Sequence, residues 1–115
     1  MDDKILSGKS GEEKACNYIK SKKYKILERN YRCLYGEIDI IAKDNNTLVI
    51  IEVKYRKSVK FGKGYEAVHY TKQQKIIKTA QHYINENNIK MPVRFDVISI
   101  DDDEITHIEN AFGAW

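Results

Sequence analysis

Proline occurs once in this sequence, at position 92, and cysteine twice, in 115 residues. Two cysteines are too few for a disulfide framework. No histidine stands at metal-ligand spacing from Cys16 or Cys33, so both are expected as reduced thiols of a cytoplasmic protein. Long apolar runs are missing too. The longest, at residues 48–51, falls far short of the roughly 20 residues that cross a bilayer, so no membrane partner is expected. Residues 1–10 are polar and lack the apolar centre of a secretory leader. There is no low-complexity tract and no internal repeat. Nor is there a large excess of one charge: 20 Lys and Arg stand against 17 Asp and Glu, a net +3. That balance favours a polyanionic partner only weakly, and the placement of the charges has to decide.

What is present is an ordinary globular balance, 42% hydrophobic and 32% charged, in a length suited to one domain spanning 1–115. Ser10 with Glu13 is a capping-box pattern that predicts a helix start there. Ala15, Cys16 and Ile19 form its apolar stripe, which extends back to Glu12 at helical spacing, and residues 21–23 end it. Residues 24–31 read as a strand. Gly36 opens a second strand over 37–42, and 48–55 form a third, joined by the turn Asp44-Asn45-Asn46-Thr47. A loop follows to about residue 70, with glycines at 62 and 64. Thr71 with Gln74 is a second capping signal, for a helix that carries Ile76, Ile77, Ala80, Tyr83 and Ile84 on one face. Pro92 precedes a strand over 93–100, and 105–109 can add a short edge strand. The class is α/β, a mixed sheet flanked by helices in the order α-β-β-β-α-β with that optional further edge strand.

The central hairpin carries acids where apolar residues would be expected. A turn centred on Asn45-Asn46 sets Asp39 opposite Glu52 and Glu37 opposite Lys54. All four then share one face with Ile41 and Ile50. The other face carries Ile38, Ile40, Val49, Ile51 and Val53 and is expected to be the core. Like charges placed directly opposite destabilise a sheet, and a cation would relieve them. Ligands that are all oxygen suit Mg²⁺ or Mn²⁺. A lysine beside them can stabilise charge on a phosphate or position a water. These are the parts for phosphodiester hydrolysis. The plainer alternative is a solvated face with cross-strand Glu–Lys pairs. Glu12 likewise has two readings, an inward-facing carboxylate or a first-turn acid favoured by the helix dipole.

Asp39 followed by Glu52-x-Lys54 is also the pattern of the PD-(D/E)xK nuclease superfamily. Several segments together widen the likeness: Gly36-Glu37-Ile38-Asp39-Ile40-Ile41, the run from Val49 through Glu52, Val53, Lys54 and Tyr55 to Arg56, and Arg29-Asn30-Tyr31-Arg32. Phe61-Gly62 with Glu66-Ala67-Val68, Gly11-Glu12 with Ala15 and Tyr18-Ile19, and Arg94-Phe95-Asp96-Val97 belong to it as well. From about residue 8 to 112 the chain resembles the YraN family, bacterial proteins taken to be endonucleases and similar in fold to archaeal Holliday-junction resolvases. The resemblance implies a restriction-endonuclease-like core in which Asp39 and Glu52 hold the metal, Lys54 is the catalytic lysine and Glu12 is the helix carboxylate completing the site. The superfamily's proline is replaced by Ile38. Products with 5′-phosphate ends are implied too.

Around this site Lys57, Lys60 and Lys63 lie in a loop with Phe61, Gly62, Gly64 and Tyr65, suited to phosphate contact and base stacking, or simply solvated. Lys72 and Gln73, one turn before Ile76 and Ile77, either reach over the sheet toward a phosphate or stay on the surface. Arg29, Arg32 and Arg56 are candidates for backbone contacts. Arg94 and Asp96 read as a same-face ion pair, and His69, His82 and His107 as surface or packing residues. The expected activity is Mg²⁺- or Mn²⁺-dependent hydrolysis of DNA, with branched and single-stranded forms among the candidate substrates. The alternative is a nucleic-acid-binding module whose nuclease site is vestigial or partner-dependent; a third class is a docking protein with an acidic face. Resolvase-like folds often pair, so a homodimer is among the expectations.

Overall fold

Central strands that read as unbroken apolar runs must be covered on both faces, and the architecture follows from that requirement. A computed structural model of the chain describes residues 3–56 and 69–113, with side chains described over residues 11–55 and 69–113. The elements are α1 (Asp3–Ser21), β1 (Lys25–Cys33), β2 (Gly36–Asp44), β3 (Thr47–Arg56), α2 (Tyr70–Glu86), β4 (Val93–Asp101) and β5 (Glu104–Phe112). The five strands form one sheet in sequence order. Neighbours are antiparallel except β3 and β4, which run parallel with α2 as the crossover between them. The α/β class with a mixed sheet is as expected, and the optional edge strand is a full one.

Each face of the sheet has its own helix. Ala15, Cys16 and Ile19 of α1 pack on Ile40, Ala42, Val49, Ile51, Ile98 and Ile100. Ile76, Ile77, Ala80 and Tyr83 of α2 pack on Ile38, Ile41, Leu48, Ile50 and Phe95. This corrects the expectation of a single core face on the hairpin. Ile41 and Ile50 are as buried as Ile40 and Ile51, because the crossover helix covers them. Ile38 also packs on the α2 side while Ile40 packs on the α1 side, so strict alternation is interrupted at Asp39.

Both helix starts differ from the capping signals. Helix α1 begins at Asp3, not Ser10, since no proline stands upstream to stop it and Ser10 is tolerated inside. Glu12 therefore lies beyond the first turn, where the dipole effect has faded, and the first-turn reading of Glu12 is lost. Helix α2 is entered at His69, which makes no side-chain cap bond, and Thr71 lies inside it.

Gly11 sets how closely α1 approaches β3. A β-carbon there would stand 2.8 Å from Tyr55 Cβ and 2.9 Å from its Cδ2, so any larger residue must push α1 off the sheet. Gly11→Ala is expected to cost about 1–3 kcal/mol, the usual range for overpacking a filled interior. A urea midpoint unchanged from wild type would contradict the close approach.

Candidate active site at the fork of β2 and β3

The turn-set register holds. Asn45 takes the positive φ of 53° that the tight turn needs, and the ladder runs from Asp44↔Thr47 to Ile40↔Ile51. There it stops, one position short of Asp39 and Glu52. Instead of a further backbone pair, the Asp39 side chain crosses the gap, and its Oδ2 accepts the Val53 N–H at 2.8 Å. On the far side of β2, Asn30 of β1 also has a positive φ, 52°, between the paired residues Arg29 and Tyr31. The strands thus part at the acids and open a cleft of ≈ 250 Å³ lined by Gly36, Glu37, Asp39, Glu52, Lys72, Lys75 and Ile76.

A buried and a half-buried carboxylate at one fork need positive charge, and two lysines supply it. Glu52 is only 6% exposed. Lys72 Nζ reaches its Oε1 at 2.7 Å, and Lys54 Nζ lies 3.8 Å from the same oxygen. Burial and then the charge of Glu52 push the Asp39 carboxyl up to about 7, against the opposing Val53 N–H bond. Burial and then the neighbouring Lys72 ammonium lower Lys54. For Lys72, burial acts downward, but its bonds to Glu52 and Lys54 outweigh it and the net shift is upward. Glu12 of α1 adds to the negative potential at Asp39, and Asn30 Nδ2 donates to its Oε2 at 3.5 Å.

The structure therefore brings Asp39, Glu52, Lys54 and Lys72 together, with Glu12 within electrostatic reach. Glu37 does not oppose Lys54 as expected, because the ladder has already ended. It pairs with Arg32 at 3.4 Å, while Lys54 turns toward Glu52. Arg29 is paired with Glu13 at 3.1 Å on the exposed side of β1, and neither it nor Arg32 lines the cleft. Gln73 is half-buried on α2. Lys57, Lys60, Lys63 and the Arg56 side chain lie outside the described residues. The involvement of Lys72 goes beyond the sequence reading, which gave it a phosphate or the surface. Its only signal was its place one turn before the buried Ile76.

The donor set fits a hard divalent cation. It is all oxygen, and it already draws a cation, the Lys72 ammonium, to 2.7 Å. Lys72 can be tested as the internal substitute for such an ion. Lys72→Met is expected to lower stability in EDTA by about 1 kcal/mol, a modest figure because the side chain is 44% exposed and screened. It should also enlarge the rise in melting temperature on adding Mn²⁺, and a smaller rise than in wild type would contradict the substitution.

A second polar cluster lies at β4 and β5. Asp96, fully buried, accepts from Arg94 Nε at 2.9 Å, from the backbone N–H of Asn110 at 2.9 Å and lies 2.7 Å from His107 Nε2. The Arg94–Asp96 ion pair is as expected, but His107 belongs to its buried network. Asp96, His107 and Glu109 could together approach one ion. Arg94 already occupies that role, bridging Asp96 and, at 3.4 Å, Glu109.

No helix among the described residues is long and apolar enough to cross a membrane. Residues 11–100, which contain every residue of the fork, match the model of "Uncharacterised protein family UPF0102". The UPF0102 protein of Thermodesulfovibrio yellowstonii is 59% identical over 109 residues, covering 95% of this chain and 97% of the relative. That of Persephonella marina is 51% identical over 93% of each chain. That of Clostridioides difficile is 49% identical over 91% of this chain and 95% of the relative. The chain belongs to the UPF0102 family.

Proposed function

We propose that the chain is a divalent-cation-dependent nuclease that hydrolyses DNA phosphodiester bonds at the fork of β2 and β3. The observation that carries this reading is the meeting of buried Glu52 and half-buried Asp39 in an open cleft, with Lys72 and Lys54 drawn to Glu52 and the Asp39 carboxyl pushed up to about 7. Such perturbed groups concentrated in a cleft are the usual mark of a functional site. The meeting of Asp39, Glu52 and Lys54 supports the site that the resemblance to the PD-(D/E)xK superfamily and the YraN family implies, while Glu12, which the resemblance adds, bonds Asn30 and reaches Asp39 through its charge.

Asp39 and Glu52 would hold Mg²⁺ or Mn²⁺. When bound, such an ion supplies Lewis-acid charge to a phosphoryl oxygen and lowers the pKa of nearby water. The chain's own groups do the rest. Lys54, with its ammonium 3.8 Å from Glu52 at the cleft's edge, can donate to a non-bridging phosphoryl oxygen as charge builds there. Burial and the Lys72 ammonium lower the Lys54 pKa from its ordinary value, which eases transfer of its proton to a group in the cleft. Lys72, held on Glu52 at 2.7 Å, would neutralise that carboxylate in the ion-free site and could instead meet the substrate phosphate where an ion took its place. A binding module with a partner-dependent site is the second reading, favoured by the Lys72–Glu52 pair, which neutralises the site without any ion.

Purified protein incubated with single-stranded, forked, four-way and duplex DNA decides between them. The nuclease reading expects cleavage in Mg²⁺ or Mn²⁺, none in EDTA, and 5′-phosphate ends. Salt-sensitive binding with no cleavage of any substrate would favour the second reading.

A further inference from the structure

The β1–β2 turn is pressed against α2 beside the fork. Gly36 (φ 154°) brings it there: a β-carbon at this position would lie 3.3 Å from Thr79 Oγ1 and 3.8 Å from Lys75 Cβ. Past Gly36 the turn presents Leu34, 92% exposed, and Tyr35, 47% exposed. Between Tyr35 and α2 lies a second cleft of ≈ 380 Å³, walled by Lys78, Gln81, His82 and Asn85. The Tyr35 and His82 rings meet edge to face, with centroids 6.4 Å apart. Gly36 lines the first cleft and Tyr35 the second, and Lys72, Lys75 and Lys78 step from one to the other along α2.

We propose that this second cleft is a track for a single DNA strand that leads to the carboxylate fork, with an unpaired base stacked on Tyr35 and phosphates against Lys75 and Lys78. The inference rests on the nuclease reading and names the form of its substrate. The chemistry favours a strand over other occupants. An aromatic wall beside exposed lysines and amide side chains is what stacking and phosphate contact together require. The cleft is concave, so it admits a base only when that base is out of a duplex, whose grooves accept protruding elements. A second copy of the chain is disfavoured because protein interfaces are depleted of lysine at their centres, whereas Lys78 stands in this wall. From Lys72 to Asn85 the band runs about 20 Å along the helix axis, room for several nucleotides. Glu86 closes the far end. It accepts the Tyr31 hydroxyl at 2.7 Å and pairs with His82 at 3.5 Å, which holds the histidine in place.

The test is binding of a short fluorescein-labelled oligo-dT, read by anisotropy in EDTA so that no cleavage intervenes. Tyr35→Ala is expected to weaken it about 5- to 100-fold, the range for losing one base stack, while Tyr35→Phe keeps it. Lys75→Ala with Lys78→Ala should flatten the slope of log affinity against log salt by about 0.7 for each phosphate that is no longer neutralised. Blunt duplex affinity and the melting response to Mn²⁺ should be the same in Tyr35→Ala as in wild type. Wild-type protein that ignores oligo-dT, or a Tyr35→Ala variant that binds it equally well, would overturn the track. So would a Tyr35→Ala variant that only changes a sedimenting dimer to a monomer. Tyr35-dependent binding without metal-dependent cleavage would remove the proposed nuclease activity and leave the track. Cleavage indifferent to Tyr35 would do the reverse.

Discussion

Asp39→Asn and Glu52→Gln are each expected to reduce Mn²⁺-dependent DNA cleavage by at least about a thousandfold, because each would remove a charged oxygen ligand of the proposed ion. Binding of DNA in EDTA should survive and tighten slightly, since a negative charge facing the phosphates has gone. Asn at position 39 can still accept the Val53 N–H, so the fork should keep its shape. Lys54→Ala differs in kind. It would remove the proposed donor to the phosphoryl oxygens, and about 10²–10³ in rate is the expected loss for one such donor. It should also weaken EDTA binding, opposite in sign to the two carboxylate variants. Single-turnover rates beside anisotropy titrations separate the two behaviours. Cleavage that persists in both carboxylate variants would remove the fork from the chemistry.

The second large effect is in pH. The Asp39 carboxyl lies near 7 in the folded protein, against an ordinary value of 3.8. It is faced by Glu52 and Glu12, which raise it, and by Lys72 and the Val53 N–H, which lower it. Between these two values the folded state binds more protons than the unfolded chain, so stability in EDTA falls as pH rises. The extra stability is fully present below about 4 and gone above about 7. Cation binding runs the other way, because only the ionised carboxylate is a ligand. Mn²⁺ affinity should rise by up to about tenfold per pH unit toward 7 and then level off. Urea midpoints from about pH 5 to about pH 8 should show the first trend, and Asp39→Asn should flatten it while raising stability at pH 8 by on the order of 1–3 kcal/mol. A wild-type midpoint that climbs with pH in EDTA would contradict the raised carboxyl.

What could be read in advance, and what could not, divides along sequence distance. Asp39 and Glu52 are joined by a short hairpin, and its turn residues set the register that carries both acids to one place. The same local logic found the strands and the buried face of α2. Where the ladder ends is not local. It depends on the Asp39 side chain taking a backbone bond from Val53 and on the irregular backbone of β1 at Asn30, and so the expected Glu37–Lys54 opposition does not form. The capping signals at Ser10 and Thr71 failed because a capping sequence is permissive: it can begin a helix but cannot stop one that starts earlier.

Lys72 and His107 show the long-range part more sharply. Lys72 meets Glu52 only because the crossover helix returns over the open end of the sheet, twenty positions on in the sequence. His107 meets Asp96 across two strands whose register shifts between Phe95 and Val97. A signal was available for the latter. A carboxylate at Asp96, inside a strand flanked by Phe95, Val97 and Ile98, has to find partners when buried, although nothing in the sequence says that one of them is His107.

The claim on which the rest depends is that Asp39 and Glu52 hold a divalent cation. Mn²⁺ titrated calorimetrically into the metal-free protein tests it without any substrate. At about pH 6, where the Asp39 carboxyl is largely protonated, binding should release a proton, visible as a heat that changes with the ionisation enthalpy of the buffer. At about pH 8 the release should be lost. Glu52→Gln should bind no ion in the same concentration range. Wild-type protein that takes up no Mn²⁺, or a Glu52→Gln variant that takes it up equally well, would contradict the account.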